Sequence, residues 1–204
     1  MTAIIDYGVG NLFSLKSSFA YIGEEVTVTN DKDVIMSADR IVLPGVGAFG
    51  DAAKKLFESG MADVLKEAAA MGKPILGICL GMQLLFEKSY EYGEHEGLGF
   101  IKGDILPISD RVDTSVYKIP QIGWNALKLT KPSPLFKYTN EGDHVYFVHS
   151  FYGAHCDDSL IATTEYGFDV TAAVSSGSVY GTQFHPEKSG DVGLRILRAF
   201  CEMK

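Results

Sequence analysis

The sequence predicts an α/β fold, a doubly wound mixed sheet with helices on both faces and an antiparallel C-terminal portion. Three observations carry it. The first half alternates strand-like and helix-like segments; two of its strands, Ile41-Val42-Leu43 and Ile75-Leu76-Gly77-Ile78, are continuously apolar, as parallel strands covered on both faces are; and after about Tyr92 the pattern changes to short alternating strands and turns. In order, Ala3–Asp6 reads as a strand and Asn11–Ile22 as a helix, with Leu12, Leu15, Phe19 and Ile22 on one face and Gly23 to stop it. Glu25–Thr29 and Arg40–Leu43 follow as strands, and Asp51–Met71 as one long helix. The later strands are Gly99–Ile108, Ala126–Leu129, Val145–Val148, Leu160–Thr164, Ala172–Ser175 and Ser178–Phe184. Ser176-Gly177 makes a hairpin turn between the last two. A helix over Asp191–Met203 closes the chain, and Asp110–Tyr117 and Lys131–Asp143 are loops. We expect residues 1–204 to form a single domain, since 204 residues suffice for one full core.

Composition narrows the function. Hydrophobic residues are 46% and charged residues 22%, ordinary globular values, and no apolar run reaches the length of a spanning helix. The start lacks the pattern of an export signal, so a cytoplasmic location is expected. A net charge of −8, with 18 Lys and Arg that do not cluster, disfavours nucleic acid as a partner. The three cysteines, Cys79, Cys156 and Cys201, lack metal-ligand spacing and suit a reducing compartment. No metal or other cofactor is called for.

Chemistry concentrates in two stretches. In Gly77-Ile78-Cys79-Leu80-Gly81 an apolar strand breaks into a helical pattern, so Cys79 stands at the tip of a tight strand-to-helix turn, with small residues where backbone passes close by. Helix N–H groups aimed at such a turn favour a thiolate and can receive an oxyanion. A lone cysteine is more often a small buried hydrophobe; the flanking glycines and a second stretch, Phe184-His185-Pro186-Glu187-Lys188, reverse that reading. Residues two apart on extended backbone project the same way, so Glu187 can orient the His185 imidazole while its other nitrogen addresses Cys79. His-Pro-Glu alone is a weak signal; paired with an elbow cysteine it makes a Cys-His-Glu triad. Of the other histidines, His95, His144 and His155 read as solvated and His149 as structural. A Gly8-Val9-Gly10 nucleotide loop is disfavoured, because Phe13 stands where its third glycine belongs. On this evidence a thiol hydrolase, a cysteine peptidase and a silent binding module with the same sheet all remain open.

Over nearly its whole length the chain resembles the class I glutamine amidotransferases of the triad type, whose fold is flavodoxin-like. Pro44-Gly45-Val46-Gly47, Gly77–Gln83 and Phe184–Glu187 match that family's oxyanion strand, elbow and His-x-Glu. Asp6–Asn11, Lys118–Asn125, Phe147–Ser150 and His185–Ser189 resemble most closely its histidine-biosynthesis branch, the glutaminase subunits of imidazole glycerol phosphate synthases. That branch commonly has His and Met where Gln121 and Ile122 stand here. The resemblance implies that Cys79 attacks the side-chain amide of glutamine to form a glutamyl thioester, that His185 moves the protons and that Glu187 orients it. It also implies oxyanion donors at Leu80, Val46 and Gly47, and glutamine contacts at Gly45, Gln83, Glu91, Ser150 and Phe151. Gln83 is expected one helical turn beyond Cys79, and Glu91 three. The implied partner is a β/α-barrel cyclase subunit in a heterodimer, which takes the ammonia; Asn11, Trp124, Tyr146 and Lys188 are the expected interface positions.

Overall fold

The computed structural model describes residues 1–203. The first half of the chain runs β1 (Thr2–Ile5), α1 (Leu12–Tyr21), β2 (Val26–Thr29), α2 (Lys32–Ser37), β3 (Arg40–Leu43), α3 (Phe49–Glu58), α4 (Met61–Ala70), β4 (Ile75–Ile78) and α5 (Leu80–Leu84). Then come β5 (Phe86–Ser89), β6 (His95–Glu96), β7 (Ile101–Pro107), β8 (Gln121–Ala126), β9 (Lys128–Leu129), β10 (His144–His149) and β11 (Phe151–Ala154). The chain closes with β12 (Leu160–Glu165), β13 (Asp169–Ser176), β14 (Val179–Thr182) and α6 (Gly190–Cys201). The main sheet has eight strands in the order β2-β1-β3-β4-β14-β13-β12-β9. Its first five strands are parallel and the rest antiparallel. A four-stranded sheet, β11-β7-β5-β6, and a β8–β10 ribbon complete the structure.

Alternation along the buried strands builds two cores. Ala3, Ile5, Ile41, Leu43 and Ile75 face a cluster shared with α2, α3, α4 and α5. Ile4, Val42, Leu76 and Ile78 face the opposite cluster, with Leu15 and Phe19 of α1 and Leu197 and Phe200 of α6. Each Ile, Leu, Val or Phe among them, fully buried, contributes about 1.5–3 kcal/mol by leaving water. Asn11 caps α1 by accepting the Ser14 N–H, and the chain turns out of the helix at Gly23, φ +81°.

Two predicted elements differ. Asp51–Met71 is not one helix: α3 stops at Glu58 and α4 starts at Met61, with left-handed Gly60 (φ +75°) between them. The helix after Cys79 is only five residues long, because the Leu98 and Phe100 N–H groups reach the Leu84 and Leu85 carbonyls, each at 2.8 Å, and draw the chain into β5. Glu91 therefore lies beyond β5 and not three helical turns after Cys79. The predicted hairpin forms, with Ser176 opposite Val179 and Gly177 at φ +57°.

The β4–α5 turn fits only because its neighbours are backbone. A Cβ on Gly81 would lie 1.9 Å from the Leu43 carbonyl oxygen, and one on Gly77 would lie 2.6 Å from the Gly81 oxygen. Gly81→Ala should therefore cost on the order of 3 kcal/mol in urea unfolding, the upper end of overpacking penalties. Gly177→Ala, with open space around it, should lose only about 1 kcal/mol of left-handed strain. Equal losses would contradict the close-packed turn.

Candidate active site

Cys79 is set by the strand before it and the helix after it. Its N–H donates to the Thr182 carbonyl of β14 at 2.7 Å, extending the β4–β14 ladder by one residue, and its own carbonyl receives the Gln83 N–H at 3.1 Å. Between them the backbone takes φ +55°, ψ −111°, a conformation that L-residues rarely adopt and that persists only where the surroundings impose it. The side chain lies in a cleft of about 320 Å³.

His185 follows β14 and reaches the same cleft, 3% exposed at its side chain. Its Nδ1 lies 2.7 Å from Glu187 Oε1, a carboxylate whose side chain is 2% exposed. Burial alone would pull the imidazole down, but the neighbouring Cys79 sulfur and the hydrogen-bonded Glu187 carboxylate outweigh it and raise His185 to about 9. At neutral pH the His185 ring is therefore an imidazolium, set between the Glu187 carboxylate and the Cys79 sulfur.

Two backbone segments line the cleft together with Cys79. Leu80, the first residue of α5, has no intrahelical acceptor for its N–H, and among the described residues the N–H groups of Val46 and Gly47 donate to nothing. All three residues line the cleft. The loop that carries Val46 and Gly47 is anchored at both ends: buried Tyr7 donates its hydroxyl to the Pro44 carbonyl at 2.8 Å, and Glu91 Oε2 accepts the Phe49 N–H at 2.6 Å. Burial, with the charge of Cys79, pushes the Tyr7 hydroxyl well above its usual range, so it remains a donor.

Of the other expected contacts, Gln83, Glu91, Ser150 and Phe151 line the cleft and Gly45 does not. Gly45 lies behind its wall, where a Cβ would meet Gly81 N at 2.6 Å, so its smallness serves packing and not contact with a ligand. Trp124 and Tyr146 pair across β8 and β10 with ring centroids 6.1 Å apart, and Lys188 Nζ stands 5.9 Å over the Tyr146 ring at the cleft wall. Asn11 is occupied in capping α1. His95, read as solvated, is half-buried against Phe49.

Sequence reasoning gave His149 no place in the site, yet it lines the cleft. Its Nδ1 donates to the Phe151 carbonyl at 2.7 Å, and burial pulls it down to about 4, so the ring is neutral. Gln183, which the sequence places only within the strand Ser178–Phe184, also reaches the site, its Nε2 3.8 Å from the Cys79 sulfur. Among the described residues no cluster of His, Cys, Asp and Glu is arranged to hold a metal ion.

Fold and site together define the class of protein. A family model described as glutamine amidotransferase class-I matches residues 3–203. Solved structures agree on the fold: a crystal structure of a glutamine amidotransferase superposes with a TM-score of 0.76 at 19% identity, covering 98% of this chain and 97% of the other. PurLQS from Thermotoga maritima gives 0.72 at 22% identity, covering 98% and 96%. The imidazole glycerol phosphate synthase subunit HisH of Wolinella succinogenes is 47% identical over 204 residues, covering 100% of both chains. That of Lactococcus lactis is 48% identical over 200 residues, 98% of this chain and 96% of the relative. The chain belongs to this family, as a class I glutamine amidotransferase of the HisH type.

The two histidines give stability opposite pH dependences. His185 is raised from 6.5 to about 9, so what its pairing contributes is fully present below 6.5 and is lost as pH rises through about 9. His149 stays neutral to about 4 while the unfolded chain takes up a proton near 6.5, so the folded state loses stability as pH falls through that window. Urea unfolding at about pH 5, 7 and 10 should give the highest stability near 7. Cys79→Ala should flatten the alkaline limb and His149→Gln the acid limb; limbs unchanged in both variants would contradict the assignment.

Proposed function

We propose that this chain is the glutaminase subunit of an imidazole glycerol phosphate synthase, hydrolysing glutamine to glutamate and ammonia. The observation that carries the reading is the Cys79–His185–Glu187 cluster on a strained elbow at the base of the cleft. In the proposed cycle the Cys79 thiolate attacks the side-chain amide carbon of glutamine. Negative charge develops on the amide oxygen, within reach of N–H groups of Leu80 and of Val46 or Gly47. His185, already protonated, gives its proton to the departing nitrogen, and ammonia leaves a γ-glutamyl thioester. Water, deprotonated by His185, attacks that thioester; glutamate departs and the thiolate returns. Glutamine and water balance the reaction. Gln83, Glu91 and the Ser150–Phe151 backbone, which converge on the cleft, would hold the glutamine head group.

We further propose that residues 1–204 act as one glutaminase unit in the cytoplasm and pass ammonia to a cyclase subunit, a β/α barrel that forms imidazole glycerol phosphate and an aminoimidazole carboxamide ribonucleotide. Ammonia in neutral water is largely protonated and no longer a nucleophile, so a mouth that opens onto the partner keeps it reactive. Ile122 and Trp124 share a face of β8 and are 59% and 52% exposed, and Val46 at the cleft is 43% exposed. With Tyr146 and Lys188 they offer an apolar rim with one cation for a barrel face. The three cysteines are free thiols, which suits a reducing compartment, and no described helix is long and apolar enough to cross a membrane.

Ammonia release from glutamine tests the reading. The purified chain with the cyclase subunit should release ammonia well above the rate of the chain alone, and Cys79→Ser should reduce turnover by about 10³ or more while the variant still unfolds cooperatively. Substantial turnover by the serine variant would refute the assigned nucleophile.

A further inference from the structure

The sulfur of Cys79 has a second polar neighbour, outside the triad. Gln183 Nε2 lies 3.8 Å from Cys79 Sγ, and the Gln183 residue is 0% exposed. Its carboxamide is held in one orientation. Gln183 Oε1 accepts from Gln83 Nε2 at 3.0 Å, and that nitrogen also lies 3.3 Å from the Phe151 carbonyl, the acceptor of His149 Nδ1–H. With its oxygen committed to Gln83, the Gln183 amide can turn only its N–H toward the sulfur. A buried chain of hydrogen bonds thus runs from Sγ through Gln183 and Gln83 to the backbone of the glutamine cleft.

We propose that Gln183 is a further catalytic residue, a neutral donor that favours negative charge on Cys79 Sγ, and that it acts mainly on hydrolysis of the thioester. The proposal rests on the reading of Cys79 as the nucleophile. Gln183 neither gives nor takes a proton. Before attack it raises the thiolate fraction, but a better-stabilised thiolate is also a weaker nucleophile, so the two effects on acylation largely offset. In deacylation they do not offset. Water adds to the thioester carbonyl, its proton goes to His185, and the electron pair of the breaking C–S bond returns to sulfur. That charge appears where the Gln183 N–H already points, a donor in place before the charge it serves. Through Gln83 the same amide is tied to the Phe151 carbonyl, so closure of that wall on glutamine also bears on how squarely the amide meets the sulfur.

The test uses the full chain with its cyclase partner and two variants. Gln183→Met keeps the length and removes the N–H; Gln183→Asn keeps a carboxamide but draws it back by one methylene, guarding against a simple loss of fold. Two readouts are taken: the pH profile of Cys79 alkylation by iodoacetamide, mapped by mass spectrometry, and the fraction of chain carrying a glutamyl group on Cys79 after acid quench during turnover. Both variants should raise the alkylation midpoint by about one pH unit and lower kcat about tenfold. The thioester fraction should rise, with KM for glutamine falling or unchanged. A midpoint and thioester fraction equal to wild type, even with reduced kcat, would overturn the proposal. A wild-type chain that never carries a glutamyl group on Cys79 would overturn the nucleophile reading and this proposal with it.

Discussion

Contact between backbone and backbone at the β4–α5 turn is the constraint on which the rest depends. Where a side chain would begin on Gly81, the Leu43 carbonyl of β3 already stands; where one would begin on Gly77, the Gly81 carbonyl stands; and Gly45 presses on the Gly81 nitrogen. These approaches force the chain round a turn too sharp for ordinary dihedrals and leave Cys79 at φ +55° with its side chain directed into the cleft. Packing on both faces of the sheet offsets the strain. The same approach seats Gly45 against Leu80 and Gly81, and the Val46-Gly47 backbone that follows it lines the cleft together with Cys79 and Leu80.

Around the turn most buried polar groups are answered, although Glu187 Oε2 and His149 Nε2 are buried without a hydrogen-bond partner among the described residues. Glu187 Oε1 and His185 Nδ1 pair with one another; Gln83 and Gln183 share a hydrogen bond and reach the sulfur on one side and the Phe151 carbonyl on the other. In so dry a setting each of these contacts is stronger than it would be in water, and each missing partner would be more costly. The site therefore keeps His185 charged at neutral pH, against the pull of burial, while nearby His149 is kept neutral by burial. Two histidines within one cleft wall thus differ widely in proton affinity, and the difference follows from their neighbours: one faces a sulfur and a carboxylate, the other a carbonyl.

What the sequence disclosed was whatever has a strong local signature. Apolar runs located β3 and β4, period-two alternation located β13 and β14, and the glycines about Cys79 located the elbow. Long-range and short elements were harder. The apolar pattern of Leu56, Met61, Val64, Leu65 and Ala68 runs unbroken across Gly60, and nothing local says that this glycine is left-handed. Helix α2 is six residues long with a single buried side chain, Ile35, too short to show a period. The run Leu80–Phe86 is buried all round, so its pattern does not mark where helix gives way to strand, and a helix continued to Glu91 overshoots the end of α5 at Leu84. Gln183 was overlooked for a different reason. It shares a face with Gly181, whose register opposite Gly77 places the next such position level with Cys79, but that pairing is set by the sheet and not by neighbouring sequence.

The central claim is that one thiol of three is the nucleophile, selected by its place and not by exposure, since Cys79, Cys156 and Cys201 are all buried. Burial pushes Cys156 above its ordinary value and Cys201 up to about 12, which keeps both as inert thiols. Labelling the chain with a glutamine-shaped electrophile and mapping the adduct by mass spectrometry tests this directly. The account predicts a single adduct on Cys79, formed in proportion to activity and prevented by excess glutamine; an adduct on Cys156 or Cys201, or one on Cys79 that glutamine does not prevent, would contradict it.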